Sequence, residues 1–113
     1  MVARNSLLAA PPYEVELALK TLGANIRTAR LRRNLSIADV AAKISVGRHV
    51  IGDAERGKAS TGIAIYAGLL WALGLVDQLA RVAESETDEE GLIRARERDR
   101  AKARSRKPLD NDF

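Results

Sequence analysis

Cysteine is absent from this 113-residue chain, and histidine occurs once. Neither a disulfide framework nor a thiolate or multi-histidine zinc site can be built from that set, and no cofactor is expected. The lone His49 has no serine and acid placed to complete a nucleophilic set, and there is no cysteine nucleophile. A glycine-rich phosphate loop in a βαβ setting is missing too. The paired carboxylates Glu89 and Glu90 fall in a polar linker where nothing holds them in place. These absences argue against an enzyme. Long apolar runs are equally scarce. The segment SLLAAPP is too short for the core of a signal peptide, and the run over residues 62–76 falls short of the ~20 residues that span a membrane. No membrane partner is expected, and a cytoplasmic location is. No stretch alternates apolar and polar residues as a half-buried strand does, which leaves an all-α fold.

Charge is what the chain has in quantity. The formal net charge is +4, with 19 Lys and Arg against 15 Asp and Glu. Residues 1–84 carry the whole excess, 11 basic against 7 acidic, which suits a polyanionic partner. Residues 85–113 sum to zero but are sorted into blocks: acidic over 86–90, basic over 94–107, then acidic again. The length allows one domain of roughly 75–85 residues with tails. We divide it into an extended N-terminal arm over 1–12, a helical domain over 13–84 and a charged tail over 85–113.

The domain is organised around residues 35–58, LSIADVAAKISVGRHVIGDAERGK. Ser36 is a good helix N-cap, and Asp39 three residues on can bond back to it as a capping box. Leu35 and Val40 are spaced for a hydrophobic staple, and Val40, Ala41 and Ile44 form one apolar stripe. A second set follows at Val46, Val50, Ile51 and Ala54, with Gly47 as a tolerable N-cap and Gly57 as a C-terminal stop. Ala41 and Ala54 are small enough for the two helices to cross closely. Helices over 36–45 and 47–56 joined by a tight turn make a helix-turn-helix.

Around this pair the sequence predicts three further helices, five in all. Val15, Leu19, Leu22, Ile26 and Ala29 repeat at 4-3-4-3 over residues 13–33, with Asn34 as a left-handed cap. Gly23 inside that helix costs roughly 1 kcal/mol relative to Ala. Ser60 or Thr61 is expected to cap a fourth helix over 62–73, ended by Gly74. Its apolar residues cover more than one face. One stripe fills a small core, so Ile63, Tyr66, Leu70 and Trp71 are expected to meet a second protein surface. A fifth helix over 76–84 places Val76, Leu79, Ala80 and Ala83 on one side.

The tail is a different material. LIRARERDRAKARSRK has high helix propensity, yet beyond Leu92 and Ile93 it has no apolar stripe to bury. It reads as a solvated, frayed basic segment, or as an arm along DNA phosphates or a partner's acidic surface. Leu109 and Phe113 stand in polar company at its end, where they could anchor in another protein's pocket.

Residues 22–75 resemble the Xre-type, phage-repressor-like helix-turn-helix domains. LGANIRTARLRRNLS, DVAAKI, and AERGK ahead of an ALG-terminated helix carry that likeness. The whole chain is more similar still to HipB-like antitoxins of HipA-family kinase toxins, through RTARLRRN, GKASTGIAIYAGLLWALGL and the LDNDF tail. The resemblance implies that Arg30 pairs with Glu55 at the end of the recognition helix. It places Arg48 and His49 at positions that meet base edges, with Asp53 one turn on. Arginine reads guanine bidentately, histidine can bond a base or a phosphate, and a carboxylate either accepts from cytosine N4 or simply avoids phosphates. Lys58, Ser60 and Thr61 fall in the loop that grips the DNA backbone, with Lys43, Gly47 and Arg56 as further phosphate candidates.

Three departures bear on base readout more than on DNA binding. Ile37 stands where many relatives have glutamine, Ser45 replaces the turn glycine, and Gly52 interrupts the recognition helix. The resulting expectation is a homodimeric repressor from the bacterial cytoplasm that binds double-stranded operator DNA. It would neutralise a HipA-like serine/threonine kinase toxin and autoregulate the operon. A stand-alone Xre-type regulator, and an adaptor that bridges proteins without reading bases, are the alternatives.

Overall fold

The computed structural model describes residues 6–106, and Leu109 and Phe113 lie outside them. Seven helices are present among these residues, with no strand. They are α1 (Ser6–Ala9), α2 (Tyr13–Arg32), α3 (Ile37–Ile44), α4 (Arg48–Glu55), α5 (Ile63–Ala72), α6 (Val76–Ala80) and α7 (Glu89–Arg106). The chain divides into two compact units, residues 1–79 and 80–113.

Five of the seven, α2 to α6, fall within residues 13–84 as expected, and the differences lie at their margins. The arm read as extended contains α1, and Pro12 is the N-cap of α2. The fifth helix stops at Ala80, and Ala83 takes the left-handed φ of 57°. The tail, expected to be solvated, forms the 18-residue α7 with none of its residues buried.

Local chemistry sets the ends of the helices in the first unit. At the start of α3 the Asp39 amide donates to Ser36 Oγ at 3.0 Å, and the Ser36 amide donates to Asp39 Oδ2 at 2.8 Å. The Ser36 amide first, and the Ser36 hydroxyl after it, hold the Asp39 carboxyl below its usual range. Four helices close with the same left-handed device, at Asn34, Ser45, Gly57 and Gly74. After α2 the Leu35 amide donates to the Arg30 carbonyl and the Asn34 amide to the Leu31 carbonyl. The Lys58 and Gly57 amides do the same to Asp53 and Ala54, and the Leu75 and Gly74 amides to Leu70 and Trp71. Each pair satisfies carbonyls that the helix leaves open, as in a Schellman motif. By contrast, neither Ser60 nor Thr61 caps α5. Gly62 occupies that position, with no side-chain bond to the helix.

The core gathers Ile26 from α2, Val40 and Ala41 from α3, Ile51 and Ala54 from α4, and Tyr66, Leu69, Leu70 and Ala72 from α5. Leu22, Ala29, Leu35, Ile37 and Ile44 pack partly buried around it. Gly23 explains how α4 lies so close to α2. A Cβ there would come within 2.5 Å of the Ala54 and Glu55 carbonyl oxygens. The penalty for glycine inside α2 is thus exchanged for a backbone-to-backbone crossing.

Tyr66 and Leu70 do not belong to an outer surface as expected. They are 2% and 7% exposed. Because α5 is apolar on every side, its composition does not reveal which stripe faces inward, and packing against α3 and α4 decides it. Ile63 and Trp71 do stay outside, at 68% and 55%.

Candidate nucleic-acid interface

The site is built on the short connection from α3 to α4. Ser45 turns the chain with φ 58°, and Gly47 then starts α4 from an extended conformation, with no side-chain cap. Arg48 and His49 are the first two residues of α4, and both side chains are exposed. The imidazole of His49 folds back over Gly47, where an added Cβ would lie 2.8 Å from two ring atoms. A side chain at residue 47 would therefore push the ring out of this position.

What fixes the direction of α4 is a buried ion pair. Arg30 Nε donates to Glu55 Oε2 at 2.6 Å, and Nη2 donates to Glu55 Oε1 at 2.9 Å. The third arm, Nη1, donates to the Leu35 carbonyl at 2.9 Å. One guanidinium thus joins the end of α2, the segment entering α3 and the end of α4. Both side chains are almost fully buried, and the hydrogen bonding that Arg30 donates to Glu55 above all raises the pKa of Arg30. A second tie comes from Tyr66, whose hydroxyl donates to the Ala54 carbonyl at 3.5 Å. Burial raises the pKa of that phenol, while a hydrogen bond with Thr61 acts in the opposite sense.

His49, Asp53, Ser60 and Thr61 come together around an open hollow of about 290 Å³, with Val50, Gly62 and Ile65 completing its wall. One rim is α4, and the other is the loop leading into α5. Asp53 has a task that its role as a base-reading candidate does not include. Its carboxylate accepts from Arg56 Nη2 at 2.5 Å and from Lys58 Nζ at 3.5 Å. Two of the phosphate candidates are thereby held beside the hollow, both still more than half exposed. The i,i+3 spacing of Asp53 and Arg56 was the sequence signal for this bracket.

Lys43 does not join the group. Its Nζ donates to the Ala72 carbonyl at 3.4 Å and sits 5.4 Å from the centre of the Trp71 ring. The open carbonyls at the C-terminal end of α5 attract the cation, and the indole face completes its setting. Lys43 itself stays exposed beside these partners.

No group of three or more potential metal ligands occurs among the described residues. No helix among them is long and apolar enough to cross a membrane. Comparison of the chain with protein-family models, with curated proteins and with solved structures returns no match.

Proposed function

We propose that the chain is a DNA-binding transcriptional repressor in which α3, the turn and α4 act as a helix-turn-helix. The observation that carries this is the exposure of Arg48 and His49 on the first turn of a helix whose far end is clamped to α2 by Arg30 and Glu55. A recognition helix needs that combination: side chains free to meet base edges and a rigid base that fixes their approach. Arg48 is assigned to bidentate contact with a guanine, and His49 to a base or an adjacent phosphate. Lys58, Arg56, Ser60, Thr61 and the amide of Gly47 serve the phosphate backbone. Two copies would set their recognition helices ~34–36 Å apart on a palindromic operator.

A gel shift on the DNA upstream of the gene tests the proposal. The wild type should shift this DNA in preference to unrelated duplex. Arg48→Ala should weaken specific binding by about 1–3 kcal/mol and narrow that preference. Equal shifts by wild type and variant would remove Arg48 from the site.

The further assignment, as antitoxin of a HipA-like kinase in the bacterial cytoplasm, rests on the family resemblance. The exposed Ile63 and Trp71 support it as a surface for a second protein. Capture of the untagged protein from its host should recover a kinase, and its absence would leave a stand-alone regulator. The adaptor reading draws on two other features. Ile37 is spent on the core, and Asp53 is engaged by Arg56 and Lys58 rather than free for a base. A wild type that shifts no DNA would favour it.

A further inference from the structure

The helix α7 is the longest helix among the described residues that buries no side chain, α1 and α6 being only four and five residues long. It buries none of its 18 residues, so hydrophobic packing does not account for it. Over residues 94–106 it carries seven basic side chains against the two acids Glu97 and Asp99, and six of the seven are arginines. Arg94 bonds Glu90, but no ion pair among the described residues engages the other six basic groups. A helix this polar on all sides is normally braced by many i,i+4 pairs. Here the charge is left over for something outside the chain.

The spacing says what that is. The basic residues occupy every second position, and each such step turns the helix by about 200°. They therefore fall into two lines on opposite flanks: Arg94, Arg98, Lys102 and Arg106 on one, and Arg96, Arg100 and Arg104 on the other. Ala101 and Ala103 lie in the gaps between the lines. A flat acidic surface can meet only one such line. Two walls of negative charge, one on each side of the cylinder, meet both, and the major groove of duplex DNA has that form. The arginine fork matches phosphate oxygens better than a lysine point charge does.

Other polyanions fit less well. Membrane-surface helices need a broad apolar face, and α7 has only Leu92 and Ile93 near its start. Single strands need aromatic stacking platforms, and α7 has none. The deep, narrow major groove of duplex RNA does not admit a helix.

We propose that α7 is a second duplex-DNA contact, lying in a groove with one basic line toward each phosphate strand. It adds affinity without reading bases, and it goes beyond the assignment of α4.

The test uses the full-length protein, a duplex of random sequence of about 30 base pairs, and binding isotherms from about 50 to 200 mM salt. One variant carries Arg96→Gln, Arg100→Gln and Arg104→Gln, and a second carries Arg94→Gln, Arg98→Gln and Arg106→Gln. Glutamine keeps helix propensity close to that of arginine. Each variant should lower the slope of log K against log salt by about 2–3, and both should weaken operator and random duplex alike. An unchanged slope in both variants overturns the proposal. So does an effect from one line only, which would indicate a flat anionic surface. Loss of binding to polyglutamate with DNA binding intact would assign α7 to an acidic protein and overturn it as well. Arg48→Ala measured alongside keeps the two sites separable, since it should alter the preference for operator and leave the random-duplex slope within about one unit.

Discussion

At the scale of single residues, Arg30 and Glu55 carry more than any other pair. Removing one partner leaves the other charge buried and uncompensated. Arg30→Ala is expected to destabilise the first unit by about 3–5 kcal/mol, read as a lower urea midpoint. Replacing both at once, Arg30→Met with Glu55→Leu, should recover most of the loss. A single variant within about 1 kcal/mol of wild type would show the pair to be dispensable. Asp39 gives a prediction with a sign. Its folded-state pKa lies below the ordinary carboxylate value because the Ser36 amide, and then its hydroxyl, favour the charged form. The stability this adds is present above the unfolded-state pKa and is lost as pH falls through the lower folded value. Urea midpoints followed below about pH 5 should fall more steeply for the wild type than for Asp39→Ala. Equal slopes would mean that the capping box adds nothing under acid. The capping box could be read from the letters alone, because Ser36 and Asp39 are three residues apart. Lys43 could not. Its partner, the Ala72 carbonyl, is 29 residues away and exists only once α3 and α5 have packed.

At the scale of helices, the ends were legible and the inward faces only in part. Asn34, Gly57 and Gly74 announce left-handed stops by residue type, and all three adopt them. Ser45 adopts one against its type, so Ser45→Gly should stabilise the protein by about 0.5–1 kcal/mol, measured as a higher melting temperature. The same sequence rule pointed to Gly23 as a weakness in α2, yet the helix crossing depends on it. Gly23→Ala should lose about 2–3 kcal/mol despite its better helix propensity, because the atoms it meets are backbone oxygens of α4. A neutral outcome would mean that α2 and α4 can part without cost. The stripe on α2 was visible because polar residues frame it. On α5 no polar residue frames anything, and Tyr66 and Leu70 were assigned to the wrong side for that reason.

At the scale of the whole molecule, two materials share one chain. The first unit has a buried core drawn from four helices, while α7 has none. Helices that bury nothing open almost freely in water. Amide hydrogen exchange should therefore show strong protection at Ile26, Val40, Ile51 and Leu69, and near-unprotected rates along α7. Addition of duplex DNA should slow exchange in α7, and unaltered rates there would count against its role on DNA.

The sealed clamp under α4 has one more consequence. Dissolved salt weakens attraction between solvent-facing charges but barely reaches a pair enclosed by protein. Arg30 and Glu55 are enclosed, so on the proposed DNA-binding reading ionic strength that strips the protein from a duplex should leave the pitch of α4 untouched. The proposed reader would then come off rigid, ready to rebind on dilution without refolding.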